Sequence, residues 1–504
     1  MTDKDKKSDP IVPKEYLLTF CLVTVLFALW GFANNFTDPM VKVFKDVFAI
    51  SNMQSSFVQM AFYGGYATMA IPAALFIRKY SYKSGIIVGL ILFATGAFIS
   101  IPAANSINFW LFISGLYILT FGLAFLETTA NPFILSMGPE KTSTMRLNLA
   151  QAFNPIGSLT GAFIAASVVM TNVHVADFKA DVNGFKSELS ASKVEKAELA
   201  VLPFLKAKER SRKNDANAKA YVAAKAAEGG AESVSVDEAL RDFREGKIES
   251  YQDMEFTSLQ RHDLNLVSST YMTLGFIVLG TLLVFLIKKM PKAASDDDED
   301  LNLGPTFGRL MKNPRYVFGV IAQMFYVGAQ IMVWTFIIQY AEKELGMDNA
   351  TAANHQIAAL VIFLTFRFIC TAFLRYVSPG KLLAVLALCG IACTLGAIHI
   401  EGMLGLYSLM LISACMSLMF PTIYGIALEG IGQDAKLGSA GLILAIVGAV
   451  WLTGFQGRIL DLETFMGTTA TRGSFYLSVG CFIIIALYGL FCRNPRNPKF
   501  LANG

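Results

Sequence analysis

Charged residues are scarce in this chain. Asp, Glu, Lys and Arg make up 16% of its 504 residues, whereas about 25% is usual for a soluble globular protein. Hydrophobic residues reach 54%, which excludes a disordered chain, a collagen-like chain and a small disulfide scaffold. A large soluble enzyme is also disfavoured. The composition instead indicates a protein that crosses a membrane several times.

Features of catalytic and nucleotide-driven proteins are missing too. The four histidines are scattered over predicted loops and span ends, and the sequence shows no clustered His/Asp or Ser/His pattern, so a membrane enzyme is the least favoured class. The sequence has no phosphate-binding P-loop, which an ATP-driven pump would need to bind its nucleotide. The net charge of +4 is too small to indicate nucleic acid as a partner. The seven cysteines lie in apolar segments, and they predict neither a disulfide framework nor a metal site.

Long apolar segments are what the chain has in abundance. A membrane-spanning helix needs about 20 mostly apolar residues, and an all-α polytopic protein is predicted because lipid-exposed backbone has to satisfy its own hydrogen bonds. No small-residue cleavage site follows the first apolar segment, so we expect it to be a retained span and not a signal peptide. Twelve spans are predicted, at 16–39, 53–77, 83–103, 106–136, 146–171, 264–289, 314–342, 351–377, 380–399, 401–428, 436–459 and 473–492.

The distribution of Lys and Arg predicts the orientation of these spans. Most basic residues of the short loops fall on the side that holds both termini, which the positive-inside rule places in the cytoplasm. The polar segment 172–263 then lies outside the cytoplasm. It is rich in Ala, Lys and Glu and predicts a small helical subdomain, in which Ser235-Val-Asp-Glu238 is a capping-box pattern at the start of a short helix. The favoured interpretation is an insertion with no transport role, and a partner-docking surface is the alternative.

The predicted spans form two halves. An N-terminal bundle would comprise 1–171 and 264–289, interrupted by the insert at 172–263. A cytoplasmic linker at 290–313, with a solvated acidic run at 296–300, would lead to a C-terminal bundle at 314–504. Equivalent loops at 78–85 and 375–381 carry similar charge in the two halves. Repeated halves around a central site are typical of secondary transporters.

Two acidic residues lie within the predicted spans. Asp38 ends the first span, directly before Pro39, and Glu127 lies in the middle of the fourth. Acids in a membrane are costly and are therefore functional candidates, and an acid that alternates between charged and neutral forms is what proton coupling requires. The alternatives are that Asp38 faces water at a helix end and that Glu127 makes a structural hydrogen bond to a neighbouring helix.

Amide and aromatic side chains share helix faces near these acids. Gln151 and Asn154 are three residues apart on span five, and on span seven Tyr326 and Gln330 are followed one turn later by Trp334. Amides both donate and accept hydrogen bonds, which suits sugar hydroxyls, and aromatic rings suit the apolar face of a sugar ring. The alternatives are hydrogen bonds between helices for the amides and ordinary packing for the rings.

Two further features indicate an internal cavity. Asn131-Pro132 is predicted to interrupt span four, and such breaks are tolerated where they line a cavity. Arg367 is basic and lies deep in predicted span eight, so we expect it to pair with an acid or to face a cavity. A coupling or gating role for Arg367 and a structural ion pair are both left open.

These stretches together resemble the fucose–proton symporter branch of the major facilitator superfamily, which also contains glucose/galactose and N-acetylhexosamine permeases. The resemblance implies two six-helix bundles, alternating access and proton-driven sugar uptake across a bacterial inner membrane. It is carried by 29–35 with Asp38, 126–133, 146–151 with 153–154, 326–330 with Trp334, and 420–423 followed by 432–434.

The resemblance also implies roles for individual residues. Glu127 matches the family's central-cavity carboxylate, which takes part in sugar recognition and proton coupling, and Asp38 matches its second acid, on the first helix. Gln151 and Asn154 match amides near the sugar. Sugar-binding residues are therefore predicted to be Glu127, Gln151, Asn154, Asn35, Gln330, Tyr326 and Trp334. The chain departs from the family pattern by its insert, which the better-known relatives largely lack. Like the rest of the branch, it has a degenerate loop after span two, with Arg78-Lys79 where Asp-Arg is usual in the superfamily.

The predicted function is import of a monosaccharide of the fucose, hexose or N-acetylhexosamine class by proton symport. We expect no cofactor other than the coupling proton, the sugar and the lipid bilayer as partners, and a monomer. Sodium-coupled or facilitative transport is one alternative, and a membrane sensor that binds sugar through the insert without transporting it is another. The sugar itself is left open, because pocket shape decides between sugars that differ by one group.

Overall fold

The computed structural model describes residues 10–50, 52–194, 216–229, 233–290, 303–347 and 349–494. The acidic run at 296–300 lies outside them. Twelve helices in the described ranges are long and apolar enough to span a membrane, which confirms the predicted all-α class. In chain order they are Leu17–Val47, Asn52–Lys79, Tyr82–Asn105, Phe109–Ser136, Ser143–Gln151 with Asn154–Ile164, Phe256–Ile287, Pro314–Leu345, Asn349–Phe373, Pro379–His399, Met403–Met416 with Met419–Leu428, Ala435–Leu444 with Gly448–Leu460, and Tyr476–Phe491.

Shorter elements lie between the spans. Three helices belong to the insert, one precedes span seven, and a small hairpin and a short helix separate spans eleven and twelve. They are His174–Val194, Ala216–Gly229, Val236–Arg244, Leu303–Lys312, the strands Thr464–Phe465 and Thr468–Thr469, and the helix Ala470–Gly473. The predicted helix start at Ser235 is confirmed, since Ser235 accepts a hydrogen bond from the main-chain nitrogen of Glu238 at the start of the third insert helix. The Glu238 carboxylate accepts from Lys225.

The ends of two predicted spans are wrong. The first helix continues through Pro39 to Val47, so Asp38 lies within the helix and not at its end. A proline inside a spanning helix is tolerated because packed neighbours and hydroxyl groups satisfy the freed backbone. Span six begins at Phe256 and not at 264. Its first two turns are polar, so the hydrophobicity of the sequence did not indicate that they belong to the span. One of those polar residues, Gln260, donates to the main-chain oxygen of Val47 at 2.6 Å.

The predicted interruption at Asn131-Pro132 is also wrong. Span four runs unbroken from Phe109 to Ser136, and the Asn131 side chain donates to the main-chain oxygen of Glu127 at 2.9 Å. The breaks fall on other spans. Span five is interrupted after Gln151, span ten is interrupted after Met416, and span eleven tightens into a 3₁₀ turn at Ala445–Val447.

Small residues bring spans one and five into close contact. A Cβ atom added to Gly31 would overlap the main-chain oxygen of Asn154, and one added to Gly157 would overlap that of Ala28. The absence of a side chain at both glycines is what lets the two backbones approach. This contact fixes the amide residues of span five relative to those of span one.

The two halves meet near the ends of the spans that lie on the same side as Leu17 and Phe491, here called the terminal face. The opposite side, where the insert lies, is the insert face. At the terminal face the Asn148 side chain donates to the hydroxyl of Thr422 at 3.1 Å, and the Lys436 ammonium lies 5.1 Å from the centre of the Tyr82 ring. Both contacts cross from one half to the other. The structure is therefore closed at the terminal face.

The insert packs on the N-terminal half. Lys179, in its first helix, lies 2.8 Å from the Asp46 carboxylate at the end of span one and 2.9 Å from Asp237 in its third helix. The carboxylate of Asp263, in span six, accepts hydrogen bonds from the main-chain nitrogens of His174 and Val175, each at 2.9 Å. The insert is thus tied to spans one and six of the same half.

Candidate functional site

A cavity of about 140 Å³ lies between the two halves. Spans one, two and five line it from the N-terminal half, and spans seven, eight, ten and eleven line it from the C-terminal half. Span one runs from the terminal face towards the insert face, so its lining residues Trp30, Asn34 and Asp38 are successively closer to the insert face. The cavity therefore extends from the middle of the protein towards the insert face.

Seven of the eight predicted site residues line this cavity. They are Asn35, Asp38, Gln151, Asn154, Tyr326, Gln330 and Trp334. The structure therefore brings amides from spans one, five and seven together with aromatic rings from span seven. Such a lining offers hydrogen-bond donors, acceptors and flat apolar surfaces to one ligand.

Hydrogen bonds hold several of these side chains in place. Asn154 donates to the main-chain oxygen of Phe27 at 3.2 Å, the Trp334 ring nitrogen donates to the Ser413 hydroxyl at 3.3 Å, and the Tyr326 hydroxyl donates to the main-chain oxygen of Met416, also at 3.3 Å. The Trp334 ring stays partly exposed, whereas Tyr326 is fully buried. The lining is thus largely pre-organised.

Asp38 lies at the open end of the cavity. Its side chain is exposed, and one carboxylate oxygen accepts a hydrogen bond from the Gln59 amide at 3.3 Å. Although Asp38 is part of the spanning helix, it faces the cavity and not lipid. A carboxyl in this position is reachable from the insert face.

Glu127 is not among the cavity-lining residues. It is 2% exposed, and neither carboxylate oxygen has a hydrogen-bond partner in the described part of the chain. One turn further along span four, Asn131 accepts a hydrogen bond from the Gln151 amide at 2.7 Å. Glu127 therefore lies in a polar layer behind the cavity wall, next to residues that connect span four to the lining residue Gln151.

Arg367 joins the two broken helices. It lines the cavity, and its guanidinium donates to the main-chain oxygens of Ser417, at the break in span ten, and of Gln151, at the break in span five. It also lies over the Phe363 ring at 4.7 Å. Of the two expected arrangements, Arg367 adopts the cavity-facing one, and main-chain oxygens take the place of an acidic partner.

Three aromatic residues of the N-terminal half were not among the predicted site residues. Trp30 donates from its ring nitrogen to the Tyr66 hydroxyl, and both line the cavity with Tyr63. Tyr66 lies within electrostatic range of Glu127, and Tyr63 lies within range of Asp38. Their spacing of three residues places both tyrosines on one face of span two. That spacing could have signalled a polar face in an otherwise apolar helix.

Comparisons with known proteins agree with this architecture. Residues 19–176 match the family model described as Major Facilitator Superfamily. The chain is 42% identical to the L-fucose-proton symporter of Haemophilus influenzae, over 95% of this chain and 97% of that protein. It is 31% identical to the L-fucose-proton symporter of Escherichia coli, over 95% and 94% of the two chains. It is also 27% identical to the glucose/galactose transporter of Brucella abortus, with the same coverage.

Solved structures give the same result. A crystal structure of the Escherichia coli fucose:proton symporter superposes with a TM-score of 0.75 at 29% identity, over 95% of this chain and all of that chain. A major facilitator transporter crystallised in the outward conformation also has a TM-score of 0.75, at 30% identity. The family model, the identity over almost the whole chain and the shared fold lead to one conclusion: the chain belongs to the fucose–proton symporter branch of the major facilitator superfamily.

Proposed function

We propose that this protein imports a monosaccharide of the fucose or hexose class together with a proton, by alternating access, and that it is a transporter and not an enzyme. One observation carries the proposal. A cavity lined by amides and aromatic rings lies between the two halves, with the exposed acid Asp38 at its opening and the buried acid Glu127 behind its wall. The names of the relatives, which include fucose and glucose/galactose transporters, support this substrate class.

The proposed location of the protein is the bacterial inner membrane, with the terminal face towards the cytoplasm. The excess of Lys and Arg in the short loops of that face supports this orientation. This conformation would then be the one that receives sugar from outside, since the halves are in contact at the terminal face. The proposed functional unit is the monomer, since the residues named in the cavity lining come from both halves of one chain.

Glu127 is the proposed coupling acid. A carboxylate without a counter-ion or hydrogen bond costs several kcal/mol in an apolar interior, so its unpaired surroundings favour the neutral acid while the cavity is open to the outside. Sugar binding and rocking of the halves would change these surroundings and release the proton to the other side. Asp38, reachable from the insert face, would receive the proton first, and the cavity-lining residues Tyr63 and Tyr66 interact electrostatically with Asp38 and Glu127, respectively.

Transport in proteoliposomes tests the proposal. Purified protein is reconstituted, and uptake of radiolabelled fucose, glucose, galactose, mannose and N-acetylglucosamine is measured with an imposed pH gradient, acidic outside. We expect accumulation of one or two of these sugars above the external concentration, and loss of that accumulation when a protonophore collapses the gradient. Replacing sodium by choline is expected to leave uptake unchanged.

The other outcomes identify the alternatives. Accumulation that depends on sodium and survives the protonophore would indicate a sodium-coupled carrier. Equilibration without accumulation under either gradient would indicate facilitated transport. Binding of a sugar without any flux, in liposomes in which the same preparation is folded, would indicate a sensor.

A further inference from the structure

Two of the four histidines of the chain meet at the base of the insert. His174 begins the first insert helix, directly after span five, and His262 lies in the polar first turns of span six. Their rings are 4.2 Å apart between centres and nearly perpendicular. Asp263 follows His262, and one ligand-capable atom from each of the three residues lies within 4.8 Å of the other two. The cavity and the transport proposal use none of these residues.

The distances in this cluster fit a metal ion. The Nδ1 atoms of His174 and His262 lie 3.4 and 3.2 Å from the same oxygen of Asp263. Zinc holds nitrogen and oxygen ligands at about 2.0–2.2 Å in a tetrahedron, which places neighbouring ligand atoms about 3.3 Å apart. Ligand atoms at this spacing would need only small movements to bind one ion.

The burial and hydrogen bonding of Asp263 and His174 also suit a metal ion. Asp263 is fully buried and accepts two main-chain hydrogen bonds at the start of the insert helix, so it is held in place while lone pairs remain for a cation. The Nδ1 atom of His174 is buried and, although it lies 3.4 Å from Asp263 Oδ1, it makes no hydrogen bond in the described residues. A buried imidazole nitrogen without a partner is costly. A metal ion would satisfy it.

We propose that His174, His262 and Asp263 form a binding site for a divalent transition-metal ion of the zinc class at the base of the insert. Two imidazole nitrogens with one carboxylate favour Zn²⁺, Cu²⁺ or Ni²⁺ over Ca²⁺ and Mg²⁺, which prefer oxygen ligands alone. The His262 side chain is 43% exposed, so the ion has access from the insert face and a fourth position open to water.

The bound ion would join the two points at which the insert leaves and re-enters the membrane domain. His174 follows span five, and His262 and Asp263 belong to span six. One ion therefore closes the loop that contains the whole insert. We infer that the metal stabilises the folded insert on the N-terminal half, because an ion that binds only the folded state adds to its stability.

Metal binding to the full-length, untagged protein in detergent tests this site. After treatment with a chelator, calorimetric titration with ZnCl₂ is expected to give one site per chain and a rise in the thermal unfolding midpoint, and MgCl₂ and CaCl₂ are expected to give neither. His174→Ala and His262→Ala should each weaken zinc binding at least tenfold and remove the rise in midpoint. His355→Ala is the matched control, because His355 is a half-buried histidine of span eight outside the cluster, and it should bind zinc like the parent.

Cobalt provides a readout on the unaltered protein, in case a variant fails to fold. Co²⁺ added to the chelated parent is expected to give visible d–d absorption bands of a four-coordinate nitrogen–oxygen site, which one equivalent of Zn²⁺ abolishes. The proposal is overturned if the parent binds no zinc at stoichiometric concentration, or if binding is the same in the parent and in both folded histidine variants. In that event His262 simply donates a hydrogen bond to Asp263.

Discussion

The guanidinium of Arg367, in span eight, donates from Nη1 to the main-chain oxygen of Gln151, in span five, at 3.1 Å. This bond connects the C-terminal half to the N-terminal half at a point where span five is broken. The same guanidinium binds Ser417, at the break in span ten. A charged side chain that satisfies carbonyls of two interrupted helices holds the halves in one relative position, and rocking of the halves has to release it.

Arg367→Lys tests this connection. Lysine keeps the positive charge, but its single nitrogen does not reproduce the planar fork that reaches both oxygens. Since hydrogen bonds from charged groups contribute about 1.5–3 kcal/mol, losing one depopulates the conformation that receives sugar, and we expect the initial rate of sugar uptake to fall at least tenfold in proteoliposomes. Arg375→Lys, at an exposed position near the end of the same span, is the control and should retain the parental rate. Parental uptake in Arg367→Lys would show that the two bonds do not matter to the cycle.

Glu127→Gln separates coupling from transport. Glutamine keeps the size and hydrogen-bonding capacity of the neutral acid and cannot release a proton. We expect counterflow exchange of sugar to continue and accumulation driven by a pH gradient to be lost. Glu140→Gln, which alters an exposed acid in the loop after span four, should accumulate sugar normally. If Glu127→Gln still accumulates sugar, another acid carries the coupling proton.

Gln330 and Gln323 both lie on span seven, and they provide a test variant and its matched control. Gln330 lines the cavity, whereas Gln323 is buried away from it and both of its amide atoms lack a partner in the described residues. We expect Gln330→Leu to raise the KM for sugar about tenfold, since a lost hydrogen bond to a buried group costs about 1–3 kcal/mol. Gln323→Leu should leave KM unchanged and leave the protein at least as stable, because it removes an unsatisfied amide. Equal effects of the two changes on KM would exclude Gln330 as a sugar ligand.

Gly31→Ala tests the contact between spans one and five. The added methyl group would overlap the main-chain oxygen of Asn154, and forcing the helices apart costs about 1–3 kcal/mol. We expect a lower thermal unfolding midpoint and weaker sugar binding, because Asn154 lines the cavity. Gly454→Ala, at a glycine of span eleven with open space around it, should have neither effect. A stable Gly31→Ala protein with normal binding would refute the close approach.

We expect the insert to lose stability at acidic pH because Asp242 becomes protonated. Burial raises the pKa of Asp242, but hydrogen bonds from Lys247 and Tyr221 lower it by more, so the net shift is downwards. A carboxyl whose pKa is lower in the folded state stabilises the fold above its unfolded pKa, about 3.9, and that contribution is lost as the pH falls through the folded value. Hydrogen exchange of the helix Val236–Arg244, corrected for intrinsic rates, should therefore accelerate below about pH 4.

Asp242→Asn is the control for that experiment. The variant should exchange faster than the parent at neutral pH and show little further change on acidification. An acid-induced acceleration of the same size in both proteins would place the responsible group elsewhere, for example at the Asp237 carboxylate, whose pKa is lowered by its hydrogen bond to Lys179.

Much of the fold was predictable because its signals are local. A span is recognised from about 20 apolar residues in a row, and a helix start from a cap such as Ser235 three residues before Glu238. The ends of spans one and six were predicted wrongly, because polar residues and a proline inside a helix look like a loop in the sequence. Only their packing against neighbouring helices keeps those turns helical.

The candidate site was predictable as a set of residues and not as an arrangement. The polar residues within the spans were identified from their cost in a membrane, and most of them line one cavity. Their spacing did not reveal that Asp38 is exposed at the opening whereas Glu127 is buried behind the wall. Depth and exposure depend on which helices are neighbours, and periodicity along one helix contains no such information.

By itself, then, the sequence determined the class of protein, the number of spans and the residue types at its centre, because hydrophobicity and helix periodicity act over a few turns. Tertiary structure decided which of those residues meet. It placed Arg367 on the carbonyls of two broken helices and brought His174 next to His262 from opposite ends of the insert. Contacts between distant segments arise from packing in three dimensions, and for that reason the scattered histidines of the sequence became a cluster only in the folded chain.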